Sequence, residues 1–434
     1  EERRELELAI SSGRLAGIAA TTALELGIDV GGLDAVVLNG FPGTLASMWQ
    51  QAGRAGRTGR RSAAVLVAGD DQLDQWYAAH PGELTRRPPE RAVVNPQNPY
   101  VLRAQVACAA HELPLAPDDE RWFGDGLDEI VRELVHADAL KPRAGRMYWA
   151  NERAPAPEVG LRTGSSVEYR LVDSAEWRTV GTVDDARVFA VAHPGAVYLH
   201  QGRQYRVERL DTRDHVAYLE EYDDADEYTQ PRTETDIAML DEERAAPLGA
   251  AVVHLGSVEV RNRVVAYQRK QISTNGVIEV VDLDLPERSL VTRACWYTAP
   301  VEALEAAGIE PAMLIGTVHA AEHGMIGMLP LFTICDRWDV GGVSMAIHPQ
   351  TGEPTIFVYD GYPGGAGIAE LAFDAAVRHV RATHELVAAC PCDEGCPSCV
   401  QSPKCGNWNE YLDKRGAILL LALMAREPAG VPMR

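Results

Sequence analysis

The sequence predicts a multidomain chain, α/β at its start and α/β plus α+β taken as a whole, and three observations predict it. An apolar run, Ala35-Val36-Val37-Leu38, follows a glycine- and threonine-bearing stretch at 17–30 and reads as the buried parallel strand of an α/β unit. Residues 70–99 then concentrate proline, aspartate and arginine, with Arg86-Arg87-Pro88-Pro89 and Asn95-Pro96-Gln97-Asn98-Pro99 as breakers. Beyond them, helical periodicity gives way to short alternating runs and then to five cysteines crowded between 390 and 405. A length of 434 residues allows three or four domains, and a hydrophobic content of 46% is enough to build their cores. We therefore expect an α/β lobe over 1–75, a winged helix over 76–157, a β-rich barrel-like domain over 158–260 and a mainly helical zinc-binding domain over 261–434.

The lobe at 1–75 carries the most informative stretch, residues 50–60, Gln-Gln-Ala-Gly-Arg-Ala-Gly-Arg-Thr-Gly-Arg. Arg54 and Arg57 stand three apart on a turn kept open by glycines. A guanidinium forks onto phosphate oxygens in one plane and stays charged, so both are candidates for stabilising charge during γ-phosphate transfer. Upstream lies 17–30, Gly-Ile-Ala-Ala-Thr-Thr-Ala-Leu-Glu-Leu-Gly-Ile-Asp-Val. The two stretches, in this order and at this distance, resemble motifs V and VI of superfamily 2 helicases. The resemblance implies a RecA-like lobe in which Thr21 touches the nucleic-acid backbone, Asp29 and Gly27 lie beside the nucleotide, and Gln50, Arg54 and Arg57 face ATP. No Gly-x-x-x-x-Gly-Lys-Ser/Thr occurs in the chain, and no Asp-Glu-x-His or Asp-Glu-Ala-Asp run to hold magnesium. The expectation is a C-terminal piece of a larger protein whose missing first RecA-like lobe supplies the cradle for ATP and Mg²⁺; alone it should not turn over ATP.

After the breakers come two helical patterns, 100–113 and 126–139, and a hairpin with a basic turn at 140–149, the order of a winged helix. Lys141, Arg143 and Arg146 are placed to touch phosphate through the wing, or the domain serves as a packing platform. From 159 to 261 short β-branched and aromatic runs recur at 166–172, 187–191, 196–200, 204–207 and 215–219, which argues for a small barrel or sandwich. Exposed aromatics of such a barrel can stack bases, although interior packing is their commoner job.

In the last third, Cys390, Cys392, Cys396 and Cys399 have the spacing of thiolates around a tetrahedral Zn²⁺, with Cys405 as the alternative to Cys390. Four thiolates make a closed, structural site. Together with His319-Ala-Ala-Glu322-His323 and the stretch 358–370, this cluster resembles the C-terminal zinc domain of mitomycin-repair-factor-A-like helicases. That resemblance implies a DNA-repair helicase translocating 3′ to 5′ on single-stranded DNA. The His-x-x-Glu-His spacing would also suit a zinc protease, but no third ligand is obvious and helix packing with hydrogen-bonded histidines is the expected role. The glycines of 361–367 lack the Gly-x-Gly-x-x-Gly order and read as a tight turn.

The formal net charge is −22, an unusual balance for a nucleic-acid-binding chain. The acidity concentrates at 220–227 and 241–243, expected to be solvated and away from any DNA path, which leaves a local groove for single-stranded DNA. No run approaches a membrane span, and cysteines clustered as metal ligands favour a reducing, cytoplasmic setting. The competing functional class is a non-catalytic module that clamps single-stranded DNA or a partner around a structural zinc.

Overall fold

The structure, a computed structural model, describes residues 2–25, 33–56, 61–90, 92–160, 167–223 and 226–426. Its N-terminal unit comprises α1 (Glu2–Ser11), β1 (Ala35–Asn39), α2 (Leu45–Ala52), β2 (Ala63–Val67) and α3 (Gln72–Ala79). β1 and β2 pair in parallel, Ala35 opposite Ala63 through Asn39 opposite Val67. The run at 35–38 is a parallel strand, but only Leu38 of it is buried: Val37, with Val65 and Val67 of β2, is exposed. Thr44 caps α2 through the Ser47 amide at 3.1 Å, and Asp71 caps α3 through Leu73 at 2.9 Å. The carboxylate of buried Asp74 accepts the amides of Phe41 and Gly69, each at 2.6 Å, and so clasps the loops after both strands.

The next unit holds α4 (Glu83–Arg86), α5 (Pro99–Glu112), α6 (Glu120–Phe123), α7 (Leu127–His136), β3 (Leu140–Arg143) and β4 (Arg146–Trp149). Asn98 caps α5 and Pro99 opens it, so the breaker segment is also the helix start. Leu102, Val106 and Ala110 of α5 meet Leu127, Ile130 and Leu134 of α7 and Leu140 of β3 in one core. Ala144 and Gly145 have φ of 51° and 74°, the two positive values a type I′ hairpin turn requires.

A five-stranded sheet follows, from β5 (Glu168–Asp173), β6 (Thr179–Asp184), β7 (Val197–His200), β8 (Arg203–Asp211) and β9 (Val216–Glu221) in the order β6-β5-β9-β8-β7, with α8 (Asp185–Val191) after β6. The sheet curls like a barrel, for a Cβ added at Gly181 of β6 would sit 3.8 Å from the Tyr198 hydroxyl and the His200 ring of β7. Residues 187–191, expected as a strand, are instead the body of α8. Asp184 caps that helix through the Arg187 amide at 2.9 Å, a local signal that outweighs the β-branched composition. Tyr169, Phe189 and Tyr205 are interior core residues.

The last and largest unit is built on two long strands, β10 (Glu227–Leu248) and β11 (Ala251–Gln271), with β12 (Val277–Asp282), β13 (Arg288–Thr298), β14 (Val340–Met345) and β15 (Thr355–Asp360). The path runs β10-β11-β13-β15-β14, with β12 beside β11. Helices α9 (Val301–Ala306), α10 (Leu314–Met328), α11 (Ile368–Ala389) and α12 (Lys414–Ala425) pack on this sheet around the largest core. β11 passes unbroken through residues 260 and 261: Val264 lies in the barrel-like core while Val253 and Leu255 lie in the main one. The acidic runs are not simply solvated. Glu227 is buried and accepts both Arg269 Nη2 contacts at 2.6 and 2.9 Å with the Tyr222 hydroxyl at 2.7 Å, and Glu243 pairs with Arg293.

Two contacts join the ends of the chain. Met328, Leu331, Ala382 and Leu386 of the last unit share a core with Leu38, Leu45, Met48, Leu73, Trp76 and Tyr77 of the first. The glycine run forms a turn with φ of 71°, 79° and 101° at Gly364, Gly365 and Gly367, and Asn98 Nδ2 donates to the Pro363 and Gly365 carbonyls at 2.7 and 2.8 Å. A side chain at Gly365 would collide with Arg293, so close packing accounts for the glycine.

At the end of β15, fully buried Asp360 accepts the Ala369 amide at 3.2 Å where α11 begins. Burial pushes its carboxyl up from 3.8 to about 6 despite the amide hydrogen bonds. The folded chain therefore holds this proton more tightly than the unfolded one. Its contribution is fully present below pH 3.8 and is lost as pH rises to about 6, a difference of up to about 3 kcal/mol. Asp360→Asn, which keeps an acceptor without the charge, is expected to stabilise the chain by about 1–2 kcal/mol near pH 8 and by close to nothing near pH 4. Urea denaturation at the two pH values checks this, and equal effects at both would contradict it.

Candidate functional site

The short 3₁₀ turn Thr22–Leu24 and helix α2 meet at Glu25. Its carboxylate accepts the Ser47 hydroxyl at 2.7 Å and Gln51 Nε2 at 3.0 Å, and its carbonyl accepts the Arg54 guanidinium. Thr21, the N-cap of the turn, is exposed and its side chain makes no capping bond. Gln50 is exposed on α2, and Arg54 is half-buried. The structure thus joins the segment of Thr21 to the segment of Gln50 and Arg54 through three residues the motif reading did not single out: Glu25, Ser47 and Gln51. Gly27, Asp29 and Arg57 lie outside the described residues. Arg143 and Arg146 flank the turn of the β3–β4 hairpin and, with Lys141, are exposed.

The metal centre forms where α11 ends. Cys390 is the C-cap of that helix, and the turn that follows returns Cys392, Cys396 and Cys399 to it. The sulfurs of Cys390 and Cys392 are 3.6 Å apart, Cys390 and Cys396 3.5 Å, Cys392 and Cys399 3.5 Å, and Cys396 and Cys399 3.8 Å. A tetrahedron with Zn–S bonds of about 2.3 Å has edges of about 3.8 Å, so these four residues fit zinc. The Cys396 amide donates to Cys399 Sγ at 3.3 Å. Buried Lys414 donates to the Cys390 carbonyl at 2.7 Å and to Cys392 Sγ at 3.3 Å, supplying positive charge at the thiolates' edge. Burial opposes ionisation of Cys392, but hydrogen bonds from Cys399, Cys390, Cys396 and Lys414 outweigh it and bring the thiol down to about 7. Cys405, the alternative ligand by spacing, does not join them; its sulfur lies 3.5 Å from His319 Nε2.

Beside this centre a cavity of about 480 Å³ opens between α8, β14 and α10, with Glu322, Ser344, Lys404 and Tyr359 in its walls. Glu322 is buried, accepts the Ser344 hydroxyl at 2.5 Å and is pushed up to about 7 by burial; Lys404 is brought down to about 8 by burial.

Residues 321–400 match the MrfA Zn-binding domain, 94–164 the winged helix domain of the ATP-dependent helicase HRQ1, and 1–59 the helicase conserved C-terminal domain. The whole arrangement superposes on the crystal structure of the DUF1998 helicase MrfA bound to DNA, with a TM-score of 0.59 and 34% identity over 98% of this chain and 56% of that one. The chain corresponds to the C-terminal region of an MrfA-like superfamily 2 helicase, zinc-binding domain included. Among its MrfA-like relatives, the ATP-dependent helicase YprA of Bacillus subtilis is 36% identical over 406 residues, 92% of this chain and 53% of YprA. The ATP-dependent helicase HRQ1 of Saccharomyces cerevisiae is 28% identical over 441 residues, 97% of this chain and 40% of HRQ1. The chain therefore spans about half the length of the curated relatives it matches. It carries the zinc-binding domain of the MrfA-like helicases, and no helix among the described residues is long and apolar enough to cross a membrane.

Proposed function

We propose that this chain contributes the second motor lobe, the winged helix and a zinc-stabilised C-terminal region to an ATP-dependent DNA-repair helicase moving 3′ to 5′ on single-stranded DNA. The observation that supports this reading most directly is the Glu25 junction. It couples the segment of Thr21, which grips and releases a DNA phosphate, to the helix end carrying Gln50 and Arg54, which face ATP. In the same reading Arg57 joins Arg54 on the phosphates of ATP–Mg²⁺, held by the first RecA-like lobe, and Gly27 and Asp29 sense the nucleotide. Cys390, Cys392, Cys396 and Cys399 hold Zn²⁺, which cross-links the end of α11 to the turn after it. Eight free cysteines suit a reducing, cytoplasmic setting.

The test is DNA-stimulated ATPase of the chain with and without the first lobe supplied. Turnover that depends on both supports the motor. A chain that binds single-stranded DNA equally well either way and never yields turnover would instead be the non-catalytic module, a reading favoured by the exposed basic wing. Replacing Arg143 and Arg146 together by alanine is expected to weaken single-stranded DNA binding several-fold at low salt. It should lower the slope of log K against log salt by about 1.4, since each lost phosphate contact removes about 0.7. Fluorescence anisotropy across a salt series reads this, and an unchanged slope would return the wing to a packing role.

A further inference from the structure

Three metal-ligating side chains outside the four-thiolate cluster converge on the wall of the cavity. His319 and His323 stand four residues apart on α10 and therefore on one face of it, with ring centroids 4.4 Å apart. Cys405 arrives from the loop before α12, with Sγ 3.5 Å from His319 Nε2. One ligand atom from each of the three lies within 4.8 Å of the others.

The surroundings orient these groups as a metal site requires. His323 Nδ1 lies 2.8 Å from the Val400 carbonyl. A carbonyl only accepts, so Nδ1 carries the hydrogen and Nε2 keeps the lone pair. His319 Nε2 faces the sulfur of Cys405. Cys405 Sγ accepts the Asn409 amide at 3.2 Å, the kind of N–H bond that supports a thiolate. A backbone carbonyl on the other ring nitrogen, as at His323, is a usual outer partner of metal-bound imidazole. The loop that carries the Asn409 amide has φ of 54°, 62° and 55° at Trp408, Asn409 and Tyr411. Packing alone asks for none of this convergence.

We propose that His319, His323 and Cys405 form a second Zn²⁺ site, separate from the four thiolates, with its fourth position open to the cavity. Two imidazoles and a thiolate are a donor set suited to zinc, and three protein ligands with one exchangeable position is the open pattern rather than the closed structural one. Binding the ion releases the Cys405 thiol proton to solvent. Glu322 is engaged with Ser344 and is not a ligand. The segment matching the zinc-binding domain, 321–400, includes neither His319 nor Cys405. The assignment does not depend on the motor reading.

The test is elemental analysis of the 434-residue chain, expressed with zinc and desalted through a weak chelator, together with Cys405→Ala and His323→Gln. Two zinc ions per wild-type chain and one in each variant are expected. Cobalt titration of the metal-free wild-type chain needs no variant. It should show two stoichiometric phases, one with the strong charge-transfer bands of four thiolates and one with the weaker bands of a single thiolate. One zinc per wild-type chain, a single cobalt phase, two zinc ions retained in both variants, or copper or iron in place of the second zinc would each overturn the assignment.

Discussion

On the proposed reading, Arg54→Ala in a protein that joins this chain to a first RecA-like lobe is expected to lower DNA-stimulated ATP turnover by about 10³-fold while changing DNA affinity by no more than a few-fold. The size follows from the role proposed for this arginine, to stabilise charge that appears only as the γ-phosphate transfers, so that its loss falls on turnover rather than on ground-state binding. The structure gives the side chain a defined posture. It is half-buried at the end of α2 and held by the Glu25 carbonyl, so little ordering remains for the moment of reaction. Arg54→Lys should recover little, because an ammonium does not reproduce the planar fork. Glu25→Ala is the instructive companion. It removes the carboxylate that holds Ser47 and Gln51 and leaves Arg54 in place, and a fall of about 10-fold, carried by kcat more than by KM, is the mark of a positioning residue. A coupled ATPase assay with saturating single-stranded DNA measures all three. Wild-type turnover in Arg54→Ala would remove this arginine from the ATP site.

How much of this was readable before the structure depended on whether the deciding contacts were local. Helices α5 and α7 announce themselves through Leu102, Val106 and Ala110 and through Leu127, Ile130 and Leu134, each set on one face, and the hairpin between Leu140 and Trp149 through its Ala144-Gly145 turn. The four cysteines at 390–399 are close in sequence, and the structure brings their sulfurs together. α8 was misread because Val188, Phe189 and Val191 favour a strand by composition, while the cap at Asp184 that starts the helix is a single residue. The long strands β10 and β11 were invisible for a different reason. β10 contains Pro231 and Pro247, its pairing shifts register at three places, and the charges at 241–243 interrupt alternation. Their compensation comes from Arg293, a residue of β13 that no local pattern connects to them. Cys405 was legible as a fifth thiol but not as the neighbour of His319, 86 residues earlier in the chain.

Cys399→Ala is expected to empty the four-thiolate site and destabilise the C-terminal region by more than about 4 kcal/mol, lowering its melting temperature by about 10 °C or more. Two effects combine at this position. Cys399 is fully buried in the main core, so the substitution removes packed volume, and it removes one of four ligands from a site whose binding free energy is also folding free energy. Neighbouring contacts carry the damage outward. Val400, the next residue, holds His323 of α10 through its carbonyl, and Gln72 of α3 donates to the Gln401 carbonyl at 3.0 Å. The turn around the zinc is therefore a strut between α10 and the N-terminal unit, and without it α3 loses a hydrogen bond in the core it shares with Met328 and Leu331. Calorimetry and limited proteolysis of zinc-loaded, chelator-treated and Cys399→Ala chains separate the two effects. Chelator alone should reproduce most of the loss and open cleavage between 389 and 414, while the variant adds only the cavity. A chain that melts at the same temperature with and without chelated metal would mean that the core of α10, α11 and α12 stands without the cross-link, and that the thiolates serve something other than folding.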